Sequence, residues 1–204
     1  MASIYDLKPA FQSLLRPLTR ALARGGATPN HVTVAALALS GAVGALIAWR
    51  PDARWPLLVL PGALFVRMAL NALDGMMARE QAMASRLGAV LNELGDVISD
   101  AVLYLPLALV QGVRPALLVP VVVLGVIAEM AGIVAVQIGA RRRYDGPMGK
   151  SDRAFVFGAL ALALGLGLPA GRWVDGLLGV VLLLLVLTIW NRARRALGER
   201  EDSR

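Results

Sequence analysis

Long apolar runs separated by short polar turns constrain this chain more than any other feature. A helix needs about 20 apolar residues to cross the hydrocarbon of a bilayer. Backbone at that depth must satisfy its own hydrogen bonds, and a helix does so within one segment. Six such runs stand at 32–49, 56–78, 86–110, 115–140, 154–170 and 173–190. Their short connections make successive runs antiparallel neighbours. Hydrophobic residues make up 57% of the chain, charged residues 17%, and mean hydropathy is +0.65. A soluble fold of this composition would lack the polar surface to cover its core. The expected fold is an all-α integral membrane protein with six transmembrane helices.

An amphipathic segment precedes the runs. Ile4, Leu7, Phe11, Leu14, Leu15, Leu18 and Leu22 recur at roughly helical spacing among basic residues. That pattern predicts an N-terminal helix lying in the membrane interface, kinked or divided at Pro9 and Pro17. Thr28-Pro29-Asn30 then punctuates the chain. The expected organisation is an amphipathic juxtamembrane helix at 1–27, a six-helix domain at 28–195 and a polar cytoplasmic tail at 196–204. No cleavable signal peptide is expected, because Lys8, Arg16, Arg20 and Arg24 leave no apolar stretch among them.

Basic residues orient the spans. With the N-terminus in the cytoplasm, sixteen basic residues fall inside; four, Arg50, Arg54, Arg114 and Arg172, fall outside. The positive-inside rule then places both termini in the cytoplasm of a multi-pass protein of the cell's inner, cytoplasmic membrane. The net charge of +7 fits loops facing anionic lipid rather than nucleic acid. The chain has no cysteine, which excludes disulfides and thiol chemistry. The sole histidine, His31, makes no zinc site and reads as a structural residue near the interface.

Carboxylates inside such a chain need a reason, because charge at membrane depth is costly and marks ion or substrate sites. Residues 74–96 read Asp-Gly-x2-Ala-Arg-x8-Gly-x3-Asn-x3-Asp. On the second span Arg67, Asn71, Asp74 and Ala78 share a helix face. On the third, Gly88, Asn92, Asp96 and Asp100 recur every four residues as a slowly drifting stripe. Facing stripes would gather the oxygens of Asn71, Asp74, Asn92 and Asp96, hard donors suited to Mg2+, Mn2+ or Ca2+. Gly75 and Gly88 lack a Cβ and admit a bulky group close to the backbone, although helix packing also favours small residues. Arg79 suits a phosphate, or snorkels to the interface.

Two further clusters stand out. Arg67, Asp100 and Glu129 lie at similar depths from cytoplasmic arginines and are expected to form a buried ion network. Asp100 or Glu129 would then extend an active site. Between spans four and five, Arg141 to Arg143 read as a stop-transfer cluster. Lys150 and Arg153, nearer the bundle, are candidates for holding a phosphate or lipid head group.

The 71–96 segment resembles the signature of the CDP-alcohol phosphatidyltransferases, Asp-x2-Asp-Gly-x2-Ala-Arg-x8-Gly-x3-Asp-x3-Asp. Asn71, Asp74, Gly75, Ala78, Arg79, Gly88, Asn92 and Asp96 stand at its eight positions, and six of the eight are identical. Thr28-Pro29-Asn30, the leading amphipathic helix, the six spans and the basic turn Gly149-Lys150 are also similar to this family. The resemblance implies an enzyme that transfers a substituted phosphate from a CDP-linked lipid, such as CDP-diacylglycerol, to an alcohol acceptor and releases CMP. It implies Mg2+ (or Mn2+) as cofactor and a homodimer as assembly. It implies Asp74 and the positions of Asn71, Asn92 and Asp96 as the metal site. Asp96 would be the general base, and Gly75, Ala78, Arg79 and Gly88 would frame the nucleotide.

The chain departs from that signature at Asn71 and Asn92, where the family carries Asp. Half the usual carboxylate charge is absent, and an amide offers an oxygen without charge. Weaker metal binding is therefore expected, with Asp100 as a replacement charge one turn beyond Asp96. Two other readings of the sequence are a catalytically weak family member with a lipid-binding role and a small membrane transporter. Lys150 and Arg153 favour an anionic acceptor, and serine or another neutral alcohol stays open.

Overall fold

A computed structural model describes residues 4–201, and side chains from residue 11 to residue 199. Among the described residues every regular element is helical: α1 (Ile4–Arg24), α2 (Pro29–Trp49), α3 (Trp55–Glu80), α4 (Arg86–Tyr104), α5 (Pro115–Gln137), α6 (Lys150–Gly165) and α7 (Arg172–Glu201). A short 3-10 turn, Leu105–Leu109, follows α4. Ile4 and Leu7 of the predicted apolar face lie outside the described side chains. Helix α1 runs unbroken through Pro9 and Pro17 rather than dividing there.

The helix starts follow from local chemistry. Pro29 opens α2 with a fixed backbone angle and no N–H to satisfy. Thr28 Oγ1 accepts from the His31 backbone N–H at 3.4 Å, and His31 Nδ1 accepts from the Thr28 N–H at 3.2 Å. This reciprocal exchange has the form of a capping box and gives the sole histidine its structural role. Ser85 Oγ accepts the Gly88 N–H at 2.9 Å and caps α4. Asp152 Oδ2 accepts the Gly149 N–H at 2.8 Å at the start of α6. At the end of α1, Gly26 takes a φ of 79°, and the Ala27 N–H reaches back to the Leu22 carbonyl at 3.0 Å.

Among the described residues four helices are long and apolar enough to cross a membrane: α2, α3, α5 and α7. Sequence hydropathy predicts six spans, and the two shortfalls have physical causes. Helix α4 has 19 residues and carries Arg86, Glu93, Asp96 and Asp100. Its predicted run continues only through the 3-10 turn. Helix α6 has 16 residues, a length of about 24 Å at 1.5 Å per residue.

The chain divides into two compact units. The first comprises Met1–Ala42 and Gly62–Ser99, and the second Val43–Pro61 and Asp100–Arg204. In the first, Val32, Leu73 and Met77 form a buried cluster, with Leu15 and Leu22 of α1 packed against it. In the second, α5 packs along α7, and Tyr104 stacks on Phe157 with centroids 4.1 Å apart. Also in the second unit, α2 and α4 cross at Gly44, where a Cβ would lie 1.9 Å from the Val102 carbonyl oxygen.

That crossing yields a test. Gly44→Val must push two helix backbones apart, an overpacking cost of about 1–3 kcal/mol or more. Thermal melting in detergent is expected to show a lower midpoint. Gly41→Ala, which meets nothing within 4 Å, is expected to melt like the parent.

Candidate active site

In the first unit, α3 and α4 present the predicted faces to one another. Asn71 Nδ2 donates to Asp96 Oδ1 at 3.1 Å. Arg67 Nη2 donates to the Asp96 backbone carbonyl at 3.0 Å and stands 3.6 Å from Asp96 Oδ1. The Arg67 side chain is only 4% exposed, that of Asp96 22%. One oxygen of Asp96 is thus held from one turn of α3 by an amide and from the previous turn by a guanidinium. The i, i+4 spacing of Arg67 and Asn71 makes this possible, since both project from the same face.

Asp74 is buried. The Thr33 hydroxyl of α2 lies 2.8 Å from its Oδ2 and 3.1 Å from the Pro29 carbonyl. Sequence reading missed Thr33, because one threonine in an apolar span carries no signal and its partner lies 41 residues away. Asn92 is half-buried on α4, one turn before Asp96, and Ala78 is half-buried on α3.

The two motif glycines make room for different neighbours. A Cβ on Gly75 would stand 3.2 Å from Arg79 Nη2, so the exposed guanidinium folds back over that glycine. A Cβ on Gly88 would stand 2.8 Å from Asn30 Oδ1 and 3.0 Å from Ser85 Oγ. The space at Gly88 therefore receives Asn30, the last residue of the Thr-Pro-Asn turn.

A second charged cluster lies in the second unit, centred on Arg153. Its Nη2 reaches Asp100 Oδ2 at 2.8 Å and Glu129 Oε1 at 3.1 Å, and its Nε reaches Asp100 Oδ2 at 3.1 Å. Glu129 Oε2 lies 3.4 Å from Arg192 Nη1 and 4.0 Å from Arg142 Nη2. Arg192 also donates to the backbone carbonyls of Ala128 and Asp145. Gly125 lets the Arg153 stem lie against α5, since a Cβ there would be 3.2 Å from Arg153 Cδ. Asp100 and Glu129 do share a buried ion network, as their depth suggested. The arginine joining them is Arg153, placed at a phosphate by sequence reading; the pairing described for Arg67 is with Asp96. Lys150 is half-buried at the first position of α6. Arg192 was read only as cytoplasmic charge.

The loop after α5 is tied down by the same helix. Arg143 bridges Asp145 at 2.9 Å and Glu199 at 2.7 Å. Arg195 pairs with Asp145, and the Met148 N–H donates to Thr188 Oγ1 at 2.9 Å. Burial alone would raise the Asp145 carboxyl, but Arg195 and Arg143 together hold it below its usual range.

With this geometry in view, comparison with known proteins is decisive. A family model for CDP-alcohol phosphatidyltransferases matches residues 27–190. The chain belongs to the CDP-alcohol phosphatidyltransferase family. Its reaction is the one the name describes: a phosphatidyl group passes from a CDP-linked alcohol to an alcohol acceptor, and CMP leaves, in phospholipid synthesis. Inner membrane protein YnbA of Escherichia coli is 45% identical over 197 residues, covering 96% of each chain. Phosphatidylinositol phosphate synthase of Mycolicibacterium smegmatis is 36% identical over 107 residues, 51% of this chain and 46% of that one. The crystal structure of the Mycobacterium tuberculosis phosphatidylinositol phosphate synthase with CDP-DAG bound matches in fold. Its TM-score is 0.75 at 21% identity, covering 88% of this chain and 92% of that one. A structure of the same protein with manganese and citrate also matches at a TM-score of 0.75.

Two predictions concern how this phosphatidyltransferase holds its second unit. Arg153→Met would leave Asp100 and Glu129 as buried charges short of their partner, a loss of about 3–5 kcal/mol. Folded yield and melting temperature in detergent are expected to fall sharply, with partial recovery in Arg153→Lys. Asp145 stabilises the fold in its ionised form, because its folded-state pKa is depressed. That contribution is present above the ordinary carboxylate range, near 3.8, and is lost as pH falls through the lower folded-state value. Asp145→Asn is therefore expected to melt below the parent at pH 7, and the difference should shrink under acid.

Proposed function

We propose that this protein transfers a phosphatidyl group from CDP-diacylglycerol to an alcohol acceptor at the cytoplasmic face of the inner membrane, using a divalent cation held by the Asp74–Asp96 segment. The observation that carries this reading is the Asn71–Asp96 hydrogen bond of 3.1 Å. It brings the two halves of the signature together, so the spacing in sequence becomes a site in space. The names of relatives, an inner membrane protein and phosphatidylinositol phosphate synthases, support the membrane and the lipid donor.

The donor set fits a hard cation. Asp74 offers a carboxylate, and Asn71 and Asn92 offer amide oxygens; oxygen-only sets suit Mg2+ or Mn2+. Asn71 and Asn92 stand where the signature carries carboxylates, so charge is scarce and the set fits one ion. When bound, that ion would neutralise the diphosphate and the charge growing on departing CMP. Arg79, exposed and folded over Gly75, is placed to swing onto a phosphate. Asp96 accepts the proton of the acceptor hydroxyl; its partial exposure leaves it reachable. The acceptor oxygen then forms its bond to the β-phosphorus as the bond to CMP breaks. Arg153, 3% exposed and matched to two carboxylates, adds no positive charge for an acceptor.

The same reading covers topology. Helices α4 and α6 cross as the shorter members of six spans, with both termini in the cytoplasm under the positive-inside rule. Helix α1 lies in the interface. Arg16 pairs with Glu80 at 3.1 Å, Leu15 and Leu22 pack inward, and Leu14 and Leu18 stay exposed to lipid. By family resemblance the enzyme is a homodimer.

Asp96→Asn is expected to cut CMP release from CDP-diacylglycerol by about 100-fold or more, measured on purified protein with Mg2+ and a panel of alcohols. Full activity in that variant would move the proton-accepting role to Asp100.

A further inference from the structure

We propose that Arg67 supplies, beside Asp96, the positive charge that a second divalent cation would otherwise supply, so that this site holds one cation rather than two. The inference rests on the metal-dependent reading given above and concerns how many ions that site takes.

Three observations on one helix face lead to it. First, the Arg67 guanidinium is buried and fixed on Asp96 twice, at the backbone carbonyl and beside the carboxylate. A guanidinium cannot lose its proton at working pH, so this charge is permanent. Second, Asn71 presents its Nδ2, not its oxygen, to Asp96 Oδ1. Amide orientation is settled by partners, and reversing this one would set two oxygens face to face at about 3.1 Å. With its N–H2 committed to Asp96, Asn71 and Asp96 cannot share a cation between those two atoms, because an amide N–H2 is a donor only. Third, the charge count favours one ion. Asp74 and Asp96 against Arg67 leave one net negative charge. One dication reverses this modestly, and two would leave three positive charges in excess before substrate arrives. Carboxylates at 71 and 92 would have cut that excess to one.

Arg67 and Asn71 thus act as a matched pair. The guanidinium holds Asp96 in place, and the amide clamps the same oxygen. The cation site retreats toward Asp74, where Thr33 fixes Oδ2. Arg67 is a positioning residue here, since it acts through Asp96.

Counting bound Mn2+ by electron paramagnetic resonance on the purified full chain, without nucleotide, tests this independently of turnover. The parent is expected to bind one Mn2+ per chain, and Arg67→Lys, which keeps the charge, should do the same. The triple variant Arg67→Met, Asn71→Asp, Asn92→Asp should bind two. Two ions in the parent would overturn the proposal, whatever the variants do. One ion in a triple variant that elutes and melts as folded protein would also overturn it, because neither Arg67 nor the amides would then limit the count. Zero Mn2+ in the parent, together with CMP release that ignores chelator, would overturn the metal-dependent reading itself and this proposal with it. Turnover on CDP-diacylglycerol completes the assay: Arg67→Met alone should lose about tenfold or more in kcat, with Arg67→Lys recovering part. Equal loss in both would mark Arg67 as shape rather than charge and sink the idea.

Discussion

A charge inside an apolar helical protein has to be answered within a few ångströms, and the rest of this structure is arranged around that requirement. Water is not there to solvate it, and lipid cannot. Both compact units answer with arginine. In the first, Arg67 and Asn71 hold Asp96. In the second, Arg153 stands between Asp100 and Glu129, and Arg192 and Arg142 balance the outer oxygen of Glu129. Guanidinium suits the task because its planar fork serves two carboxylates at once and is less tightly hydrated than an ammonium. Glycines follow from the same need: Gly125 gives up its side chain so that the Arg153 stem can pass.

The two clusters differ in what they leave over. Around Arg153 the residues are buried on all sides, with side-chain exposures of 3%, 7% and 11% for Arg153, Asp100 and Glu129. Such a network fixes where helices sit. Around Asp96 the exposure is 22%, Asn92 one turn earlier is half-buried, and Arg79 is exposed. Six of the eight signature residues are identical here, while the deeper carboxylates Asp100 and Glu129 are tied into the ion network around Arg153.

Much of this was legible in the sequence. The apolar runs fixed an all-helical membrane protein, because length and composition alone decide whether a helix can span. The Asp74–Asp96 spacing put Asn71 and Asp96 on facing helices within hydrogen-bond reach, because a four-residue step keeps one face. What stayed hidden were identities of partners. Arg153 and Asp100 are 53 residues apart, and Thr33 and Asp74 are 41 apart; no periodicity within a segment encodes a contact between segments. Among the described residues four of the six predicted runs form helices long and apolar enough to cross a membrane; in α4 the charges of Arg86, Glu93, Asp96 and Asp100 lower the apolarity of the run.

The departures at Asn71 and Asn92 look different once partners are known. In sequence they read as a loss, since two carboxylates were missing from a metal site. In the structure Asn71 makes a bond that a carboxylate could not make to Asp96: two ionised oxygens at that distance repel unless a cation lies between them. An amide removes the repulsion, and Arg67 one turn earlier supplies the countercharge. The substitution and the arginine are consistent as a set, and each would be unfavourable alone. Arg67 beside four carboxylates and two dications would place a fixed positive charge where mobile ones already bind. Two asparagines without Arg67 would leave Asp96 half-buried with only an amide to hold it. The asparagine and the arginine thus form one arrangement of charge around Asp96, in which each group makes the other favourable.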